Sequence, residues 1–138
     1  MINYHIFDHT ADLGVEVFAA TLRELYAEAS LALFDLLTDL SAVRETEERA
    51  LAVGGEGPDD LFVNFLRELL YAWNGEGFLV KRCTIREVAP RRLTAILLGE
   101  PYDPACHRIK MEIKAVTYHQ ASVRRTEAGW VARVVFDV

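Results

Sequence analysis

Three short segments of this chain gather residue types that can do chemistry. His9-Thr10-Ala11-Asp12 is a polar break between two alternating stretches. Lys114-Ala115-Val116-Thr117-Tyr118-His119 combines an ammonium, a phenol and an imidazole in a β-rich region. Phe136-Asp137-Val138 ends the sequence one residue after an aspartate. Terminal residues that fray are ordinarily polar, whereas Val134-Val135-Phe136 is apolar, which predicts a last strand packed to its end. The terminal carboxylate of Val138 would then be held beside Asp137. Hard cations such as Mg²⁺, Mn²⁺ and Ca²⁺ take carboxylate and carbonyl oxygens, and clustered carboxylates need a cation to offset their repulsion. Asp137 and Val138 are therefore candidate ligands of a divalent cation. Asp12 becomes a third if its loop meets the end of the last strand.

Each of these residues also has a purely structural use. Asp12 fits an Asx turn, and His9 fits a loop histidine with its hydrogen bonds satisfied. Lys114, Tyr118 and His119 fit a solvated strand face. Other chemistries have less support. The four histidines are scattered, and no Cys-x-x-Cys pair is present for zinc. There is no Gly-x-Ser-x-Gly elbow, and the only histidine close to a serine is His119, near Ser122. Gly54-Gly55-Glu56-Gly57 precedes a predicted helix without the Lys-Ser/Thr that ends a phosphate loop.

The elements that must position these residues follow from periodicity. Tyr4 to Asp8 and Gly14 to Ala19 alternate as strands. Thr21-Leu22-Arg23-Glu24 is a capping box. Leu22, Leu25, Tyr26, Ala29, Leu33, Leu36, Leu37 and Leu40 then recur at helical spacing over about five turns. Ala42 to Val53 predicts a charged, edge-like strand, and Gly54 to Pro58 a loop tip. Asp59 or Asp60 would cap a second helix, whose stripe runs from Leu61 to Trp73 and stops at Asn74-Gly75. Strands are predicted at Phe78 to Val88, Arg92 to Gly99, Arg108 to Ile113, Ala121 to Thr126 and Gly129 to Val138, the last two as a hairpin. Strands segregated from two helices predict an α+β fold: a two-layer sandwich of mostly antiparallel strands with two amphipathic helices, forming one domain over residues 1–138.

Composition bounds the function. The chain has 138 residues, of which 51% are hydrophobic, so disorder is disfavoured. Fifteen Lys and Arg face 21 Asp and Glu, a net charge of −6. A free-standing nucleic-acid binder would carry a basic excess instead. The acidic balance suits a protein that meets cations or a basic partner. Cys83 and Cys106 make no disulfide framework and are expected to be reduced. The N-terminus has no signal-peptide pattern and no apolar run reaches the ~20 residues of a membrane span, so the expected location is the cytoplasm, with no membrane partner.

Taken together, these segments resemble the archease family across nearly the whole chain. The resemblance lies in Phe7-Asp8-His9-Thr10-Ala11-Asp12-Leu13-Gly14, in Leu61 to Leu70, in Lys114-Ala115-Val116-Thr117-Tyr118-His119, and in Gly129-Trp130 with the ending Phe136-Asp137-Val138. It departs at Asp8, where glutamate is common, and the charge is kept. The resemblance implies an accessory protein, not a stand-alone enzyme, for RtcB-type RNA ligases in tRNA splicing and RNA repair. Such a protein promotes guanylylation of the ligase and its multiple turnover. It also implies that Asp12, Asp137 and the Val138 carboxylate hold a divalent cation (Ca²⁺, Mg²⁺ or Mn²⁺), that Lys114 is a functional lysine, and that His9 supports the motif. GTP and RNA would be met only through the ligase. A broader chaperone or modulator of RNA-processing enzymes and a metal-dependent hydrolase are the alternatives.

Overall fold

The computed structural model of the protein describes residues 2–7 and 12–138. The chain runs β1 (Tyr4–Phe7), β2 (Asp12–Ala19), α1 (Leu22–Leu37), β3 (Glu47–Gly54), α2 (Pro58–Asn74), β4 (Phe78–Ala89), β5 (Arg92–Pro101), β6 (Ala115–Thr126) and β7 (Gly129–Asp137). Two sheets form, ordered β1-β2-β7-β6 and β3-β5-β4, and every pairing is antiparallel. Both helices pack against both sheets. This is the predicted α+β sandwich. Its apolar stripes meet in one core, where Tyr26, Phe34, Phe62, Phe65, Phe78 and Phe136 are fully buried.

Helix α1 starts as the capping pattern predicts. The Glu24 N–H donates to Thr21 Oγ1 at 3.1 Å, although the reciprocal bond from Glu24 is not made among the described residues. The helix ends earlier than the periodicity implies. Leu37 is its last residue, and Leu40–Ala42 forms a separate 3₁₀ turn. Helix α2 corrects the expected cap. Gly57 is the N-cap and Pro58 opens the helix, where its missing N–H is harmless. Asp60 instead accepts the Glu56 N–H at 2.7 Å from within the first turn, and Asp59 accepts the Val123 N–H at 2.8 Å, tying the helix to β6.

Three further expectations change. The strand predicted from Ala42 begins only at Glu47, while Val43 is buried in the connection before it. Arg108 to Ile113 is not a strand. Its alternation is real, with Ile113 buried, but its backbone bonds go to helices. The Lys110 N–H donates to Leu37 O and Asn74 Nδ2 donates to Ile113 O, leaving one isolated bridge, Thr38 to Ile109. Strand β6 begins at Ala115 rather than Ala121. It contains a bulge between Thr117 and Ser122, with Gln120 at φ 60°. Cys83 and Cys106 are both free thiols.

Candidate metal centre and adjoining surface

Asp12 belongs to β2, extending the strand back from Gly14, because Leu13, Val15 and Val17 form one continuous inward-facing row. His9 lies outside the described residues. The register of β2 on β7 places Asp12 directly opposite Asp137. Ala115 faces Asp137 from the other side, and the Lys114 N–H donates to Asp137 O at 2.7 Å. The start of β2, the end of β7 and the start of β6 thus converge at one end of the larger sheet.

Alternation decides where the two carboxylates lie. Leu13, Val116 and Phe136 face the core, so Asp12 and Asp137 share the opposite face. Directly opposite residues on one face have Cβ atoms about 4.5–5.5 Å apart. Both side chains are half-buried, and among the described residues neither has a hydrogen bond or an ion pair with a cationic group. Val138 follows and is 38% exposed. Two adjacent, unneutralised carboxylates are a donor set suited to a hard cation. They do not complete one, since no group of three or more His, Cys, Asp or Glu side chains forms a metal cluster among the described residues.

The neighbouring face is rigidly built. Gly14 lies under the Phe7 ring, and a Cβ there would run into it. The Arg133 guanidinium lies 4.1 Å from the centre of that ring and is 3.1 Å from Glu16. Glu16 also meets His5 at 2.6 Å, and His5 stacks on Phe18. Val135, opposite Gly14, is fully buried. The strand ends bearing Asp12 and Asp137 are therefore held by packing beside them.

Lys114 does not join the carboxylates by an ion pair among the described residues. Its exposed side chain lines a groove of about 330 Å³ together with Arg67, Leu70, Tyr71 and Asn74 of α2. Tyr118 is 50% exposed yet is more than a solvated strand residue. Its hydroxyl donates to Asp60 at 2.6 Å and the Arg67 guanidinium stacks on its ring at 4.4 Å. The hydrogen bond to Asp60 raises the Tyr118 pKa and lowers that of Asp60. Arg67 and Tyr71 were not singled out in the sequence, and Asn74 was read only as a helix stop. Their i, i+4, i+7 spacing on the polar face of α2 was the available signal.

A second polar cluster forms between the end of β5 and the loop that follows it. His107 Nδ1 accepts the Asp103 N–H at 2.9 Å, so Nε2 donates to Glu100 Oε2, also at 2.9 Å. Glu100 accepts the Arg44 N–H at 2.8 Å as well, and these bonds lower its pKa. Cys106 is adjacent and exposed, but the Asp103 carboxylate raises its pKa, which disfavours the thiolate. Both histidine nitrogens are engaged, so no cysteine–histidine dyad forms here.

The fold and site define a small α+β sandwich that presents a carboxylate pair and a cationic groove at the meeting of three strand ends. The archease protein family model matches residues 4–138, and the chain belongs to that family. It is 37% identical to the Methanopyrus kandleri protein archease over 95% of this chain and 96% of that one. It is 32% identical to the Pyrococcus abyssi protein archease over the full length of both. Among solved structures, the solution structure of Methanobacterium thermoautotrophicum protein 1598 is similar across both whole chains, with a TM-score of 0.84 at 29% identity. A Thermotoga maritima crystal structure described as an archease, possible chaperone, shares the fold at a TM-score of 0.68 and 24% identity, over 96% and 94% of the two chains.

Proposed function

We propose that this chain is an activator of an RtcB-type RNA ligase, in which Asp12, Asp137 and the terminal carboxylate of Val138 hold a divalent cation at the surface that meets the ligase. The observation that supports this most is the direct register pairing of Asp12 with Asp137 without a neutralising partner among the described residues. Like charges directly opposite each other across a strand pair are destabilising, so a fold that retains them has a use for the charge. A bound divalent cation would supply neutralisation of nucleotide phosphate charge, which is most of what phosphoryl transfer requires.

The protein's own contribution is positional. Packing of Phe136 in the core and Phe7 over Gly14 fixes the two strands that present the carboxylates. Because two side-chain carboxylates underfill the coordination of a hard cation, a partner's groups would complete the shell. Lys114, one peptide from β6 and bonded through its backbone to Asp137, is placed in this reading on the surface contacting the ligase or its nucleotide. His9 has a supporting role in the motif preceding β2. The location is the cytoplasm, and RNA is handled by the ligase.

Multiple-turnover joining of RNA by the RtcB-type ligase of the same organism, with and without this protein, tests the proposal. Stimulation is expected, and its absence would remove the activator role. Affinity capture separates the broader chaperone reading, which requires several unrelated processing enzymes where the activator reading requires one ligase. Nucleotide turnover by the pure protein with Mg²⁺ or Mn²⁺ would point to a hydrolase instead.

A further inference from the structure

The groove between α2 and the start of β6 differs in charge from the molecule around it. The chain has a net charge of −6, yet the groove is lined by Arg67 and Lys114 and by no Asp or Glu. Neither cation has an ion pair among the described residues. Asp60 feels the charge of Arg67, but its carboxylate is already occupied by the Tyr118 hydroxyl and the Glu56 N–H. Arg67 is also pre-oriented. Its Nε donates to Val116 O at 3.1 Å and its plane rests on Tyr118, which leaves the terminal nitrogens without a carboxylate partner. A fixed guanidinium fork and a nearby ammonium are complementary to phosphate oxygens.

A flat apolar surface adjoins this charge. Tyr71 is 59% exposed, and its ring lies against Gly75, where any Cβ would strike it. One side of the ring is thus braced by backbone while much of it stays open. A braced, exposed aromatic ring is a stacking platform for a nucleobase, whatever the base. The volume of about 330 Å³ lies at the lower end of the roughly 300–1,000 Å³ of small-molecule sites.

We infer that this groove binds a single nucleotide, with the phosphate on Arg67 and Lys114 and the base stacked on Tyr71. An acidic peptide would use the cations but leave the aromatic platform without a role. A long polyanion is disfavoured by the net charge, whereas two cations match one phosphate group. The site uses no metal ligand but shares Lys114 with the activator reading, and a titration in EDTA without the ligase separates the two.

Titration of the ¹⁵N-labelled full chain in EDTA, with AMP and GMP as probes, tests this inference. Both nucleotides are expected to bind saturably, with amide shifts confined to α2 and the start of β6. Inorganic phosphate and the bare nucleosides should bind more weakly than either nucleotide. Lys114→Gln and Arg67→Gln should each raise Kd about tenfold, as loss of one charge-assisted contact implies. Tyr71→Ala should weaken AMP and GMP several-fold while leaving inorganic phosphate unaffected. Lys114 is exposed, so its variant remains informative if Arg67→Gln destabilises the packing of α2 on β6. Absence of saturable binding, equal affinity for phosphate and nucleotide, or shifts produced only by a polyglutamate peptide would each overturn the inference.

Discussion

Asp12 and Asp137 face each other across a strand pair, where like charges are destabilising. Asp137→Asn should therefore leave the metal-free protein as stable as the wild type or stabilise it by up to about 1 kcal/mol. It should also abolish any rise in Tm produced by Ca²⁺, Mg²⁺ or Mn²⁺. Thermal melts in EDTA and in excess cation check both parts. A destabilised metal-free variant, or a cation response equal to that of the wild type, would show that the pair is structural. Gly14 tests the scaffold beside the pair. Gly14→Ala forces the Phe7 ring off its seat and should destabilise by about 1–3 kcal/mol, measurable by urea unfolding.

At the scale of elements, the strand ends are positioned by what lies under them. Phe136 is fully buried one residue before Asp137, and Phe136→Ala should destabilise by about 3–5 kcal/mol. Thr21→Ala removes the cap of α1 and should cost about 0.5–2 kcal/mol in the same unfolding measurement. Both helices and the terminal hairpin were legible in the sequence because their signals are local: apolar stripes at helical spacing, a Thr cap and alternation on either side of a short turn. Residues 108–113 were misleading because burial of Ile113 imposes alternation, while Lys110 and Ile113 find hydrogen bonds on the helices rather than on a strand. Asp12 read as loop because it is polar, yet the apolar row of Leu13, Val15 and Val17 fixes a strand that continues past Leu13. The candidates Asp12, Asp137 and Lys114 were legible as residues, but their convergence was not. It depends on pairing of β2 with β7 from opposite ends of the chain, which no local pattern encodes. Arg67 and Tyr71 were hidden for the opposite reason, since any exposed helix face carries polar residues at that spacing.

At the scale of the whole molecule, charge and core set the working conditions. Glu100 titrates below its ordinary value of 4.5 because the Arg44 N–H and His107 favour its ionised form. A carboxylate whose native pKa is lowered adds stability above the unfolded pKa and loses it as pH falls through the native value. Stability should thus decline as pH drops below about 4.5, and Glu100→Gln should be less stable at pH 7 with a shallower acid slope, as followed by circular dichroism. The net charge of −6 opposes direct contact with RNA, so in the proposed function activation passes through the ligase. The most direct measurement is transfer of labelled GMP to the RtcB-type ligase at limiting GTP and saturating divalent cation. Wild-type protein is compared with Asp12→Asn and Asp137→Asn variants confirmed as folded. Stimulation by the wild type is expected, with loss of that stimulation, to the level of ligase alone, in both variants. Full stimulation by either folded variant would contradict it.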